Sequence, residues 1–146
     1  MGNNGHLEID FAVDRTGGID PAHAATYRTF GAWIRSCYGT PLATGTLAAG
    51  AQSVVVPIAG GAMVDRVMLQ EDQTQGQFVY AHTLEALVSG VWQPFFSGVS
   101  VGSKRIAIAP GGAVKATAIR FTVLSAFSPG AQSVAVAVFS PDGCAV

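Results

Sequence analysis

With 146 residues, 49% of them hydrophobic, only 12% charged, and a net charge of −1, the chain is large enough for one domain with a short attachment and too apolar to be disordered. The scattered charges exclude the basic stripe that nucleic acid requires and the polybasic patch that an anionic membrane attracts, so neither is expected as a partner. No apolar run approaches the length of a membrane span, and Met1-Gly2-Asn3-Asn4 leads into alternating polar residues instead of an apolar leader.

In chain order, residues 6–11 alternate apolar and polar and predict a strand, followed by a turn at Asp14-Arg15-Thr16-Gly17-Gly18. Asp20-Pro21 opens a helix, as an N-cap followed by proline at the first helical position. Tyr27, Phe30, Trp33, Ile34 and Cys37 recur at three- and four-residue spacing and form one apolar stripe. The stripe needs a surface to cover, which makes Tyr27, Phe30, Trp33 and Ile34 candidates for meeting a partner or a second copy. Gly39 and Pro41 end the helix, and the small residues 42–52 read as a linker.

From residue 53 onward, seven short β-prone runs alternate with turns rich in glycine, serine and proline. They are 54–56, 64–69, 78–88, 91–96, 104–109, 117–124 and 134–139. In the sixth run Thr117, Ile119, Phe121 and Val123 share one face, and Ala118, Arg120 and Thr122 the other. The fold class is therefore mostly β: an antiparallel jelly-roll or β-sandwich over 53–146, preceded by a strand-turn-helix over 1–41.

Residues 3–17 (Asn3-Asn4-Gly5-His6-Leu7-Glu8-Ile9-Asp10-Phe11-Ala12-Val13-Asp14-Arg15-Thr16-Gly17) are similar to the stretch NGNLLLNxxPDRxG of family-29 α-L-fucosidases, their eighth barrel strand and the loop after it. Phe30-Gly31-Ala32-Trp33-Ile34-Arg35 resembles FGxWxR, and 65–72 (Asp-Arg-Val-Met-Leu-Gln-Glu-Asp) resembles DRVxLQED of the discoidin-like sandwich in many of these enzymes. Gly76-Gln77, Trp92-Gln93, Gly98 and 101–106 continue the series in order. The resemblance implies that 1–41 are the last βα unit of a barrel and 53–146 an accessory sandwich, galactose-binding-like in type. It also implies a secreted, periplasmic or lysosomal parent that releases terminal α-L-fucose with retention through a carboxylate pair. The chain departs from the family pattern at Glu8, Asp10 and Val13.

No catalytic residue is assigned. A (β/α)₈ barrel takes roughly 250 residues, and one βα unit cannot hold two carboxylates about 5 Å apart across a sugar. The chain alone is expected to be inactive. Glu8, Asp10 and Asp14 could supply a carboxylate pair, but charge alternation on a strand more often marks a wet face. His6, His23 and His82 share no ligand spacing, so no metal or other cofactor is expected. Cys37 and Cys144 match no redox or metal motif and are read as buried free thiols ahead of a disulfide, which spacing alone does not decide.

A glycan remains as a candidate ligand. Glu71, Asp72, Lys104 and Arg105 form either a rim for sugar hydroxyls or, the favoured reading, a salt-bridge network between strands. Trp92 and Tyr80, with Phe78, offer rings on which a pyranose could stack, although Trp92 is more readily read as core.

Overall fold

The computed structural model of the protein describes residues 5, 7–127 and 133–144. Asn3, Asn4 and His6, which belong to the first motif, lie outside them. The strand expected at 6–11 is absent from the described part, 7–11, and a single bridge between Val13 and Ile19 closes the turn that follows. An alternating segment becomes a strand only when a neighbour supplies the other half of the hydrogen-bond ladder, and among the described residues no strand pairs with 7–11.

Helix α1 (Pro21–Tyr38) forms as expected: the Asp20 carboxylate accepts hydrogen bonds from the backbone of Ala22 (2.8 Å) and His23 (3.4 Å), and proline occupies the first turn. Among the described residues eight strands follow: β1 (Ala43–Leu47), β2 (Ser53–Val64), β3 (Arg66–Glu71), β4 (Val79–Val88), β5 (Val91–Val99), β6 (Arg105–Ile108), β7 (Val114–Ala126) and β8 (Val134–Phe139). They make two antiparallel four-stranded sheets, ordered β1-β8-β3-β6 and β2-β7-β4-β5. Every ladder in both sheets joins strands that are antiparallel, and most neighbours are distant in sequence, which is the jelly-roll arrangement of a sandwich.

Strand β1 corrects the linker assigned to 42–52. Its small residues pair with β8 from Ala43–Val138 to Leu47–Val134, and Leu47 enters the core. Gly45 permits this placement, because a Cβ there would stand 2.6 Å from Cγ2 of the fully buried Val56 in the facing sheet. The core between the sheets holds Val64, Val67, Leu69, Leu84, Phe95, Ile119, Phe121, Val134, Val136 and Val138, all essentially excluded from solvent.

Irregularities in the ladders set which residues face out. In β2 the pairing with β7 slips between Pro57 and Ala62, where Gly60 and Gly61 both adopt positive φ (71° and 68°). On β7 the alternation changes phase: Val114 and Ala116 pack on the core, then Ile119, Phe121 and Val123 do so, and Thr117 is exposed instead of sharing the face of Ile119. On β5 the pairing with β4 slips between Leu84 and Glu85, which leaves both Phe95 and Phe96 on the core side.

Candidate functional site

The residues singled out from the sequence fall in three places. Glu71, at the end of β3, is buried, and its carboxylate accepts backbone hydrogen bonds from Phe78 (2.7 Å), Val79 (2.8 Å) and Gly102 (3.1 Å). It closes the loops entering β4 and β6 and is not offered to a ligand. Asp72 is exposed and caps its own turn by accepting from the Thr74 backbone (3.0 Å), and the Thr74 N–H and hydroxyl hold its carboxyl below the ordinary range. Arg105 lies over the Phe96 ring at 5.4 Å, with Nε buried and unpartnered. The favoured reading is corrected for Glu71, whose carboxylate is taken up by three backbone N–H groups, and for Arg105, which lies on a ring. Lys104 is half-buried just before β6.

Tyr80 and Trp92 are not neighbours. Tyr80, 71% exposed, stands on β4 seven residues before Leu87, the partner of Trp92, a separation of roughly 23 Å at strand rise. Trp92 is also not core. It projects from the outward face of the second sheet, half-buried beneath the Arg120 guanidinium, 4.4 Å from the ring centroid. Arg120 Nε (2.7 Å) and Nη2 (2.6 Å) both bond Oε2 of Glu85 on the adjacent strand. The three side chains form one connected arrangement on the outward face. Sequence reasoning placed Arg120 and Thr122 on one face of their strand but missed Glu85, because nothing local shows that it stands opposite Arg120. A groove of about 710 Å³ runs beside it, lined in part by Thr83, Glu85, Pro94, Ser97, Arg120 and Thr122 and bordered by the loop from Ala109 to Gly112.

The third place is the junction between α1 and the sandwich. Cys37 and Cys144 are joined in a disulfide, with Cα atoms 4.6 Å apart, and this corrects the free-thiol reading. Arg66 is buried beside it, bonded to both Asp65 oxygens (2.8 Å each) and to the Ser140 carbonyl (3.1 Å), and it also contacts the Cys144 sulfur. Its guanidinium lies 5.6 Å from the centre of the Tyr38 ring, which packs edge-on against Phe139. The Trp33 indole donates to the Cys144 carbonyl (3.4 Å) and stacks on Phe30. Asp65-Arg66 therefore fastens the helix, and the side of α1 that carries Trp33, Cys37 and Tyr38 is used up by the sandwich. Tyr27 is 55% exposed and touches Phe11 edge-on at 5.3 Å, so the N-terminal end of the stripe remains open.

None of these places has the geometry of a glycosidase centre. Glu8 and Asp10 are exposed on the irregular leading segment. The Asp14 carboxylate accepts from the Thr16 hydroxyl, then from the backbone of Gly18 and Thr16, and its carboxyl is held low, the opposite of what a general acid requires. His82 is buried and His23 exposed, and no group of three acidic, histidine or cysteine residues that could hold a metal occurs among the described residues. Among the same residues no helix is long and apolar enough to cross a membrane.

No protein-family model and no curated protein matches the chain. Solved structures do. A crystal structure of a putative α-L-fucosidase from Bacteroides thetaiotaomicron is 27% identical, covers 89% of this chain and superposes with a TM-score of 0.81. One from Bacteroides ovatus is 26% identical over 87% of the chain (TM-score 0.70), and a glycoside hydrolase 29 family member from a rumen bacterium is 24% identical over 99% (TM-score 0.73). The chain spans only 29%, 22% and 28% of those proteins. In its fold and in the identity it shares, the chain is similar to part of these α-L-fucosidase structures, in line with the resemblance of its motifs to family 29.

Proposed function

We propose that the chain is the sandwich-bearing part of an α-L-fucosidase-like glycoside hydrolase, without an active site of its own, and that it serves a catalytic barrel as an accessory module. The observation that carries this is the match over 89% of the chain to 29% of a solved fucosidase. Chemistry supports it: among the described residues the carboxylates of Glu71 and Asp14 are spent on backbone N–H groups instead of being paired across a cleft. In this reading 1–41 are a βα unit that reaches the rest of the barrel, and 7–11 become a strand once neighbouring barrel strands complete the ladder. The apolar residues left open there, Leu7 (51%), Ile9 (45%), Val13 (63%), Ile19 (45%) and Tyr27 (55%), are what such docking would cover.

The test is sedimentation velocity of the chain mixed with the catalytic domain of the Bacteroides thetaiotaomicron relative truncated before its matching segment. A one-to-one complex is expected, and Tyr27→Glu with Ile9→Glu should abolish it. A second reading, a stand-alone lectin-like or interaction module, draws on the same open residues, which would then meet a second copy. A concentration-dependent dimer, lost in the same variant and indifferent to the barrel, decides for that reading.

A further inference from the structure

Strand register places three successive rows of side chains on the outward face of the β2-β7-β4-β5 sheet. The first is a line of hydroxyls, one from each strand: Ser53 opposite Thr122, Thr122 opposite Thr83, and Thr83 opposite Ser97. The second holds Glu85 and Arg120 between Val55 and Pro94. The third brings Trp92 opposite Leu87. We propose that this face binds a neutral oligosaccharide, which lies along the hydroxyl row, hydrogen-bonds the Glu85–Arg120 pair and packs a ring face on the apolar residues beside it.

Four features select that ligand. Neighbouring strands are about 4.8 Å apart, so four hydroxyls span roughly 14 Å of regularly spaced groups that both donate and accept, the same dual character that sugar hydroxyls have. Ser53 and Ser97 are exposed and Thr83 and Thr122 half-exposed, and among the described residues none of the four hydroxyls is consumed by a side-chain hydrogen bond. The ion pair is arranged to leave capacity: both Arg120 contacts fall on Oε2 of Glu85, so Oε1 and Nη1 remain to accept from and donate to a pair of adjacent hydroxyls. Because the two charges cancel, the face has no excess charge with which to prefer an anion or a cation.

The apolar part is present as well. Val55 (50%) and Leu124 (59%) are exposed beside the rows, and Trp92 lies at their end with Arg120 across one ring face. The groove of about 710 Å³ falls within the usual range for ligand sites, and the loop from Ala109 to Gly112 forms one wall. A protein partner would be expected to need a buried aromatic or apolar anchor, and on these rows Trp92 is already covered by Arg120. The proposal does not depend on docking to a barrel, so either can fail without the other.

The experiment is a titration of the intact chain, followed by backbone-amide and indole NMR shifts, with 2′-fucosyllactose, cellohexaose and xylohexaose as neutral probes and hexagalacturonate as the anionic one. At least one neutral probe should shift the amides of Thr83, Ser97 and Thr122 and the Trp92 indole. Arg120→Ala, and separately Thr83→Ala with Thr122→Ala, should each weaken Kd tenfold or more while the remaining spectrum stays native. The proposal is overturned if no neutral probe produces shifts at millimolar concentration or if the shifts centre elsewhere. Binding of hexagalacturonate alone, or unchanged affinity in either folded variant, would overturn it equally.

Discussion

His82 should make the stability of this sandwich fall between pH 6.5 and 4. The ring is 1% exposed, lies against Phe96 (6.0 Å) and Phe121 (5.7 Å), and neither nitrogen has a hydrogen-bond partner. Burial first, and the nearby positive charge of Arg105 second, push its pKa down from 6.5 to about 4. A folded-state value below the unfolded one means that the unfolded chain binds the extra proton as pH falls. The contribution is therefore complete above pH 6.5 and is lost as the pH falls from there toward 4. Linkage with these two values gives a loss of about 1.2 kcal/mol at pH 5.5 and about 2.8 kcal/mol at pH 4, relative to pH 7. Urea unfolding at the three pH values should show that decline in the native protein. His82→Leu should remove that share of it, because a neutral side chain of similar volume has nothing to titrate. If the variant keeps the full slope from pH 7 to pH 4, burial of a neutral His82 is not the source of the sensitivity and the reasoning fails.

Other substitutions probe other joints. Gly45→Ala drives a methyl into Val56 across the two sheets and should cost about 1–3 kcal/mol in denaturant unfolding; an unchanged midpoint would show that the sheets have slack there. Glu71→Gln puts an amide where a carboxylate oxygen receives the Gly102 N–H, and should cost about 1–3 kcal/mol, with amide exchange fastest at Phe78, Val79 and Gly102. Cys37→Ser with Cys144→Ser opens a loop closed over 107 residues; chain entropy puts the loss near 4–5 kcal/mol, read as a drop in urea midpoint that dithiothreitol reproduces in the native chain and not in the variant.

What the sequence reveals and what it hides follow the range of the forces involved. Helix α1 was legible because its cap and stripe are local, and the seven later strands because alternation is local too. Strand β1 was not: Ala43-Thr44-Gly45-Thr46-Leu47 has the composition of a linker and is a strand only because β8 and a close-packed facing sheet hold it. Residues 7–11 fail in the opposite direction, with the alternation of a strand and no partner beside them. Cys37 and Cys144 meet because a helix end and the segment after the last strand converge, which no spacing encodes. The same limit explains the site. Residue type suggested that Trp92 is core and that Glu71 belongs to an ionic cluster, whereas cross-strand register turns Trp92 outward toward Arg120 and brings Glu71 to three backbone N–H groups.

The proposal that this fucosidase-related sandwich carries no catalytic machinery itself is met most directly by a hydrolysis assay. The purified chain is incubated with 4-nitrophenyl α-L-fucopyranoside and with 2′-fucosyllactose, alone and together with the truncated catalytic domain. The account predicts no fucose release above the buffer rate from the chain alone, at any pH and after any length of incubation. Release by the chain alone, retained after repurification to a single species and abolished by a substitution within it, would contradict the account.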